Sequence, residues 1–139
     1  MNVSEFLTAL TTHYNALVRT YAHQLSLTFS QAFLLLNLPH DGAQMSNLAH
    51  KLGIDNSTLT RNISKLELLN CIVKKKEPKD KRVVNIHITE DGKKKVYLLE
   101  KYFHDLNSSL LEYIDIEDQT IISEALEKLL WAMDCNRQK

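Results

Sequence analysis

Apolar residues recur with a helical period from the start of the chain. Val3, Leu7, Leu10, Tyr14, Leu17 and Tyr21 follow at steps of four and three, and Phe6 and Val18 widen the stripe, which predicts a helix over roughly 3–24. Thr28-Phe29-Ser30-Gln31 has the form of a capping box, in which the Thr28 hydroxyl accepts from the backbone three residues on and Gln31 reaches back. The helix it opens carries Phe33, Leu34, Leu35, Leu36 and Leu38, apolar nearly all round and so expected at the centre of the fold, and Pro39 with Asp41-Gly42 stops it.

Met45, Leu48, Ala49 and Leu52 then predict a helix of about two turns that Gly53 ends by taking a left-handed conformation cheaply. Asp55 or Asn56 can cap the next helix. There Leu59, Ile63, Leu66 and Leu69 keep the period, and Asn56, Ser57, Thr58, Thr60, Arg61, Asn62, Ser64 and Lys65 fill the rest with small or polar groups. Asn70 suits a left-handed helix end. Cys71, Ile72 and Val73 start a strand, Lys74 to Arg82 with Pro78 inside form a basic tip, and a return strand alternates Val84, Ile86 and Ile88 inward with Asn85 and His87 outward. Thr89 opens a long helix striped by Val96, Leu99, Phe103, Leu106, Leu110 and Tyr113, and after Asp115 to Asp118 a last helix carries Ile122, Leu126, Leu129 and Met133. The expected fold is mainly α with a small antiparallel β wing: a helix-turn-helix followed by a basic hairpin and flanked by N- and C-terminal helices.

Composition narrows the class. In 139 residues there are three glycines and two prolines, with 44% apolar and 24% charged residues, as in a single globular domain without low-complexity linkers. The longest aliphatic-rich run, Phe33 to Leu36, is far too short to span a bilayer, and MNVSEFLTAL lacks the basic region and cleavage site of a signal peptide, so a cytoplasmic protein with no membrane contact is expected. Cys71 and Cys135 lie far apart and form no CxxC pair, which fits a reducing compartment. The net charge of zero hides an asymmetry. Gln44 to Lys95 holds twelve Lys and Arg against six Asp and Glu, a balance of +6, leaving −6 for the two ends. A basic middle between acidic ends suggests that the middle meets a polyanion.

Reading DNA in the major groove needs a helix whose exposed side chains are short donors and acceptors, with cations for the phosphates. Asn56, Ser57, Thr58, Thr60, Arg61, Asn62 and Lys65 supply both. Taken alone, such a face is as readily an ordinary solvated one. Its neighbours shift the balance: a short helix, a glycine turn and a cationic hairpin would set the polar helix in a groove and place Lys79, Lys81 and Arg82 over the adjacent backbone or minor groove. Asp80 stands among these cations and is expected to pair with one of them, supporting the wing rather than touching DNA.

These residues resemble the MarR-type winged-helix transcriptional regulators over most of the chain. Thr28-Phe29-Ser30-Gln31 resembles the start of that family's second helix. Leu48-Ala49, Leu52-Gly53-Ile54, Ser57-Thr58-Leu59-Thr60-Arg61 and Leu66 resemble its helix-turn-helix, and Asp80-Lys81-Arg82 with Ile88-Thr89-Glu90-Asp91-Gly92 resembles its wing signature. The resemblance implies one MarR-like domain over 1–139, with a winged-helix core at about 28–92 and dimerisation helices at about 3–25 and 93–137. It implies a homodimer whose recognition helices enter successive major grooves of double-stranded DNA, with Arg82 in the minor groove and Asp80 as its support. Gln44 stands where a Thr or Ser cap is usual, and Asn70-Cys71 where Gly and a large apolar residue are usual. Peroxide-sensing relatives carry a reactive cysteine in the first helix, which this chain lacks.

The terminal stripes admit three readings: intramolecular core, dimer interface, or the wall of a ligand site. Two half-sites a helical turn apart require paired helices, which favours the dimer. Relatives often bind a phenolic or other amphipathic anion, and Tyr14, Tyr21 and His23 are the candidates to line such a site. The six histidines form no HxxxH, HxH or Cys/His cluster, so no metal is expected. Nor is there a GxSxG, a phosphate loop or a catalytic carboxylate pair, and neither enzymatic activity nor a cofactor is expected. The functional expectation is a sequence-specific regulator, a ligand-relieved repressor. The alternatives are a winged helix that docks an acidic protein and a redox-responsive regulator using Cys71 and Cys135, although Cys71 reads better as a small core residue.

Overall fold

The structure, a computed structural model, describes residues 1–139. Six helices and a three-stranded sheet follow in the order α1 (Val3–Gln24), α2 (Phe29–Asn37), β1 (Ala43–Gln44), α3 (Met45–Leu52), α4 (Asn56–Leu68), β2 (Ile72–Lys76), β3 (Val84–Ile88), α5 (Glu90–Leu111) and α6 (Ile116–Arg137). The chain divides into two compact units, Met1–Lys101 and Tyr102–Lys139, and the boundary falls within α5. No helix is long and apolar enough to cross a membrane.

In the first unit the sheet order is β1-β3-β2, antiparallel throughout. Ile72 pairs with Ile88 and Lys76 with Val84, while β1 sets Ala43 against Ile86 on the other edge of β3. Strand β1 was not expected from the sequence. Its two residues carry no periodicity, and it exists because β3 offers them an edge. The core comes from one face of each helix. Leu34 and Leu35 of α2, Leu48 of α3, Leu59, Ile63 and Leu66 of α4, Ile72, Ile86 and Leu99 are essentially inaccessible. Each such side chain contributes about 2 kcal/mol relative to exposure. The α1 stripe is split: Val18 and Ala22 are fully buried, whereas Val3, Phe6, Leu10 and Tyr14 remain exposed. Inward residues of β3 are also graded, with Ile86 buried and Val84 and Ile88 half-buried.

Three helices of this unit end in the same way. At α3, Gly53 takes φ 67°, Gly53 N donates to His50 O and Ile54 N to Ala49 O. At α4, Asn70 takes φ 57°, with Asn70 N donating to Glu67 O and Cys71 N to Leu66 O. These are paired 5→2 and 6→1 hydrogen bonds that satisfy the last carbonyls and return the chain toward the core. At α1 the left-handed position is Ser26, φ 57°, with Leu27 N reaching Ala22 O at 2.9 Å. A serine there carries a steric penalty that glycine does not. Ser26→Gly is therefore expected to raise stability by about 0.5–1 kcal/mol, read as a higher denaturation midpoint at unchanged slope.

A tight corner joins α4, β2 and α5. Thr89 caps α5, accepting from Gly92 N at 3.0 Å and donating its own proton to Asn70 O at 2.6 Å, while Asn70 Nδ2 donates to Asp91. Gly92 is buried against the Cys71 carbonyl, which any Cβ there would strike, and the same Cβ would lie 2.7 Å from Ile88 Cγ1. This corner holds the base of the β2–β3 hairpin against the end of α4.

In the second unit, Tyr113 lies beyond the end of α5, not on its stripe, and is 87% exposed. Gln119 Nε2 donates to Leu111 O and Ile114 O, closing the turn between α5 and α6. Helix α6 buries none of its residues; Ile121, Ile122, Leu126, Leu130, Trp131 and Met133 are all exposed.

Candidate nucleic-acid interface

Helix α4 is built on its first residue boundary. Of the two candidate caps, Asp55 is the one used: its Oδ1 accepts from Thr58 N and from Ser57 Oγ, each at 2.7 Å. The Ser57 and Thr58 bonds, with Arg61 nearby, hold the Asp55 carboxyl down at about 2. Because the folded value lies below the ordinary 3.8, the cap is fully present above that pH and is lost as pH falls toward about 2. By contrast α3 starts at Gln44 without a side-chain cap.

With Leu59, Ile63 and Leu66 turned inward, helical spacing puts Ser57, Arg61, Ser64, Lys65 and Leu68 on the opposite face, all exposed. Thr60 is exposed on the flank, its Oγ1 donating to Asn56 O at 2.7 Å. Thr58 and Asn62 are half-buried on the other flank, where they line a cavity of about 200 Å³ with Phe29, Phe33, Leu52 and Ile54. Asn56 faces a cleft of about 240 Å³ shared with Gln44, Met45 and Ser46 and with Arg82 to Val84 at the wing. The candidate residues of α4 therefore occupy three directions rather than one. Ser64 also belongs to the outermost face, which its spacing of seven from Ser57 marks.

Lys74, Lys75 and Lys76 lie within β2, so the basic tip is shorter than the sequence suggested and runs over residues 77–83. It is closed by Glu77 N donating to Val83 O and Val83 N to Asp80 O. Asp80 accepts from both the backbone N and the Nε of Arg82 at 3.1 Å, and these bonds hold its carboxyl below the usual range. The Arg82 side chain is nonetheless 92% exposed. Lys74 pairs with Glu67 at 3.1 Å, tying β2 to α4. Lys75, Lys76, Lys79 and Lys81 are exposed and face no carboxylate within ion-pair distance. The unit thus presents a polar helix face and, beside it, a hairpin with uncompensated positive charge.

The remaining candidates lie elsewhere. Tyr14 is 45% exposed and partial burial raises its hydroxyl pKa; Tyr21 is half-buried and His23 exposed. None of the three lines the cavity beside α4 or the cleft at the wing. Cys71 is fully buried, and burial pushes its thiol up from the usual value, against a small opposing effect of Lys95. Cys135 is exposed on α6, and both cysteines are free thiols. No group of three or more His, Cys, Asp or Glu side chains is placed to hold a metal ion.

A capped helix following a glycine turn, a basic hairpin after it and a short third strand on the sheet define a winged helix-turn-helix protein. The sequence matches the family of the transcriptional regulator SarA/Rot over residues 16–99. The HTH-type transcriptional regulator SarZ of Staphylococcus aureus is 33% identical over 101 residues, covering 69% of this chain and 68% of SarZ. The uncharacterized HTH-type transcriptional regulator YdgJ of Bacillus subtilis is 24% identical over 101 residues, 72% of this chain but only 62% of YdgJ. Among solved structures, apo MarR of E. coli superposes with a TM-score of 0.82 at 20% identity, covering 94% of this chain and 97% of MarR. The S. aureus MepR–DNA complex does so with 0.77 at 20% identity, covering 95% and 98%. The chain belongs to the SarA/Rot family of transcriptional regulators, and its fold is the MarR-type winged helix.

Proposed function

We propose that the chain acts as a cytoplasmic homodimer that binds double-stranded DNA sequence-specifically, α4 reading the major groove and the wing gripping the flanking backbone and minor groove. The observation that carries this is the pairing of an exposed polar face on α4 (Ser57, Arg61, Ser64, Lys65) with an adjacent wing whose Lys75, Lys76, Lys79 and Lys81 have no acidic partner. In this reading Asn56, Thr58 and Asn62 flank the contact surface, Thr60 stands at its edge, Arg82 enters the minor groove and Asp80 holds its backbone. The MepR complex supports the arrangement, being a DNA-bound protein of the same fold.

Dimerisation is supported by apolar surface. The first turns of α1 expose Val3, Phe6 and Leu10, and α6 exposes a full set of aliphatic side chains with Trp131; surface of this kind is rarely left to water. The chain is further proposed to repress and to be relieved by a phenolic or amphipathic anionic effector. Release of bound operator in a compound screen tests that part, and a screen with no releasing compound counts against it.

Selecting bound fragments from a random duplex library would define the operator. On that operator, Arg61→Ala is expected to lower discrimination between specific and random duplex by about 1–3 kcal/mol. Lys79→Ala should instead weaken both duplexes about equally. Equal effects of the two substitutions would count against α4 as the reading helix. No enriched duplex, with capture of an acidic protein surface instead, would favour the protein-docking reading.

A further inference from the structure

Ser57 and Thr60 are exposed on α4, yet neither hydroxyl proton is directed outward. Carboxylate and carbonyl oxygens accept hydrogen bonds and have no proton to give at neutral pH. The 2.7 Å contact from Ser57 Oγ to Asp55 Oδ1 therefore commits the Ser57 proton to Asp55, and the 2.7 Å contact from Thr60 Oγ1 to Asn56 O commits the Thr60 proton to the helix backbone. Asp55 stays ionised at any pH well above about 2, so its hold on Ser57 is charge-assisted. Ser64, on the same face, makes no such internal bond and keeps its proton available. Toward a partner, then, Ser57 and Thr60 present lone pairs only.

In the major groove most polar edge atoms are acceptors: guanine N7 and O6, adenine N7 and thymine O4. Phosphate oxygens are acceptors as well. The donors available there are the N6 amino group of adenine and the N4 amino group of cytosine. We propose that Ser57 and Thr60 are acceptor-only readers that select adenine or cytosine over thymine or guanine on the contacted strand, and that Asp55 is the positioning residue that imposes this polarity on Ser57. Arg61 and Lys65, which can only donate, then take the guanine and phosphate acceptors. This rests on the DNA-binding reading above and deepens it by assigning base chemistry to individual side chains.

The test uses the full chain and the operator obtained by selection. Each adenine is replaced in turn by the purine analogue lacking the N6 amino group, each cytosine by the analogue lacking the N4 amino group, and in parallel each purine by its 7-deaza analogue. Amino removal at each of two base pairs per half-site is expected to weaken the wild type about tenfold, and Ser57→Ala should be insensitive at one of these base pairs alone. Thr60→Val, which keeps shape and loses the hydroxyl, should be insensitive at a different one. Asp55→Asn retains a carbonyl oxygen for both Thr58 N and Ser57 Oγ and should keep the amino dependence. Asp55→Ala frees the Ser57 proton and should reduce that dependence at the Ser57 base pair specifically, whereas a purely structural cap would lower affinity at all positions equally. Should Asp55→Ala fail to fold, the Ser57→Ala and Thr60→Val comparisons decide alone. The inference is overturned if both variants share the wild-type amino-removal profile, or if their losses map to 7-deaza positions, where the hydroxyl would be donating. Failure to enrich any duplex would overturn the DNA-binding reading, and this inference with it; an enriched operator without amino dependence overturns only the inference.

Discussion

Gly92→Ala is expected to destabilise the protein by about 1–3 kcal/mol, the usual range for overpacking a buried position, and toward its upper end because the neighbours cannot yield. Alanine is the better helix former, so in an exposed first turn the change would be neutral or favourable. Here the new methyl would meet the Cys71 backbone carbonyl and the Ile88 side chain. That carbonyl cannot move freely, because it accepts from Thr89 N at 3.0 Å while Cys71 N is bonded to Leu66 O. Relief would require α5 to back away from the wing root, breaking the Thr89–Asn70 and Asn70–Asp91 hydrogen bonds. Chemical denaturation checks the size of the effect. A loss under about 0.5 kcal/mol would show that the corner is softer than its geometry implies.

The second large effect concerns assembly. At micromolar concentration the wild-type chain is expected to sediment as a dimer, and Leu126→Glu as a monomer, with the dimer dissociation constant raised by about 100-fold or more for one buried unpaired charge on each protomer. Leu126 is 44% exposed in the isolated chain and lies between Ile122 and Leu130 on a helix with no buried residue, so its substitution has little intramolecular packing to disturb. Because two half-sites need two linked reading helices, the monomer should also lose operator binding while keeping weak, salt-sensitive affinity for random duplex. A wild-type chain that sediments as a monomer would contradict the assignment of the terminal helices.

What the sequence made legible was set by local physics. The capping box at Thr28, the Gly53 turn, the cap at Asp55, one of the two adjacent candidates, and the Asn70 helix end each depend on residues within five positions of one another, and all are present in the structure. Strand β1 was not legible, since two residues acquire strand character only from Ile86 and Asn85 across the sheet. The Ser26 turn was missed because no glycine or asparagine marks it. Nor could periodicity reveal which part of the α1 stripe would be covered: Val18 and Ala22 are buried while Phe6 and Leu10 are not, though all are apolar positions of one helix.

The candidate interface shows a similar division. Charge and residue type pointed to α4 and the wing, but direction around the helix decides what each side chain can touch. Asn62 and Thr58 are as polar as Ser57 and Ser64, yet Leu59 and Ile63 turn them toward Phe29 and Phe33. The commitment of the Ser57 and Thr60 protons is a property of rotamers and of bonds to Asp55 and Asn56, which the order of residues does not disclose.

The central claim is that α4 and the wing bind duplex DNA through cations set around a reading face. The most direct test measures the dissociation constant for the selected operator and for random duplex between low and physiological salt. With about three or four phosphate contacts per protomer, a dimer should show a log–log slope of about −5 to −7, with the operator bound at least about 1,000-fold more tightly than random duplex. A slope near zero, or equal affinity for operator and random duplex at every salt concentration, would contradict it.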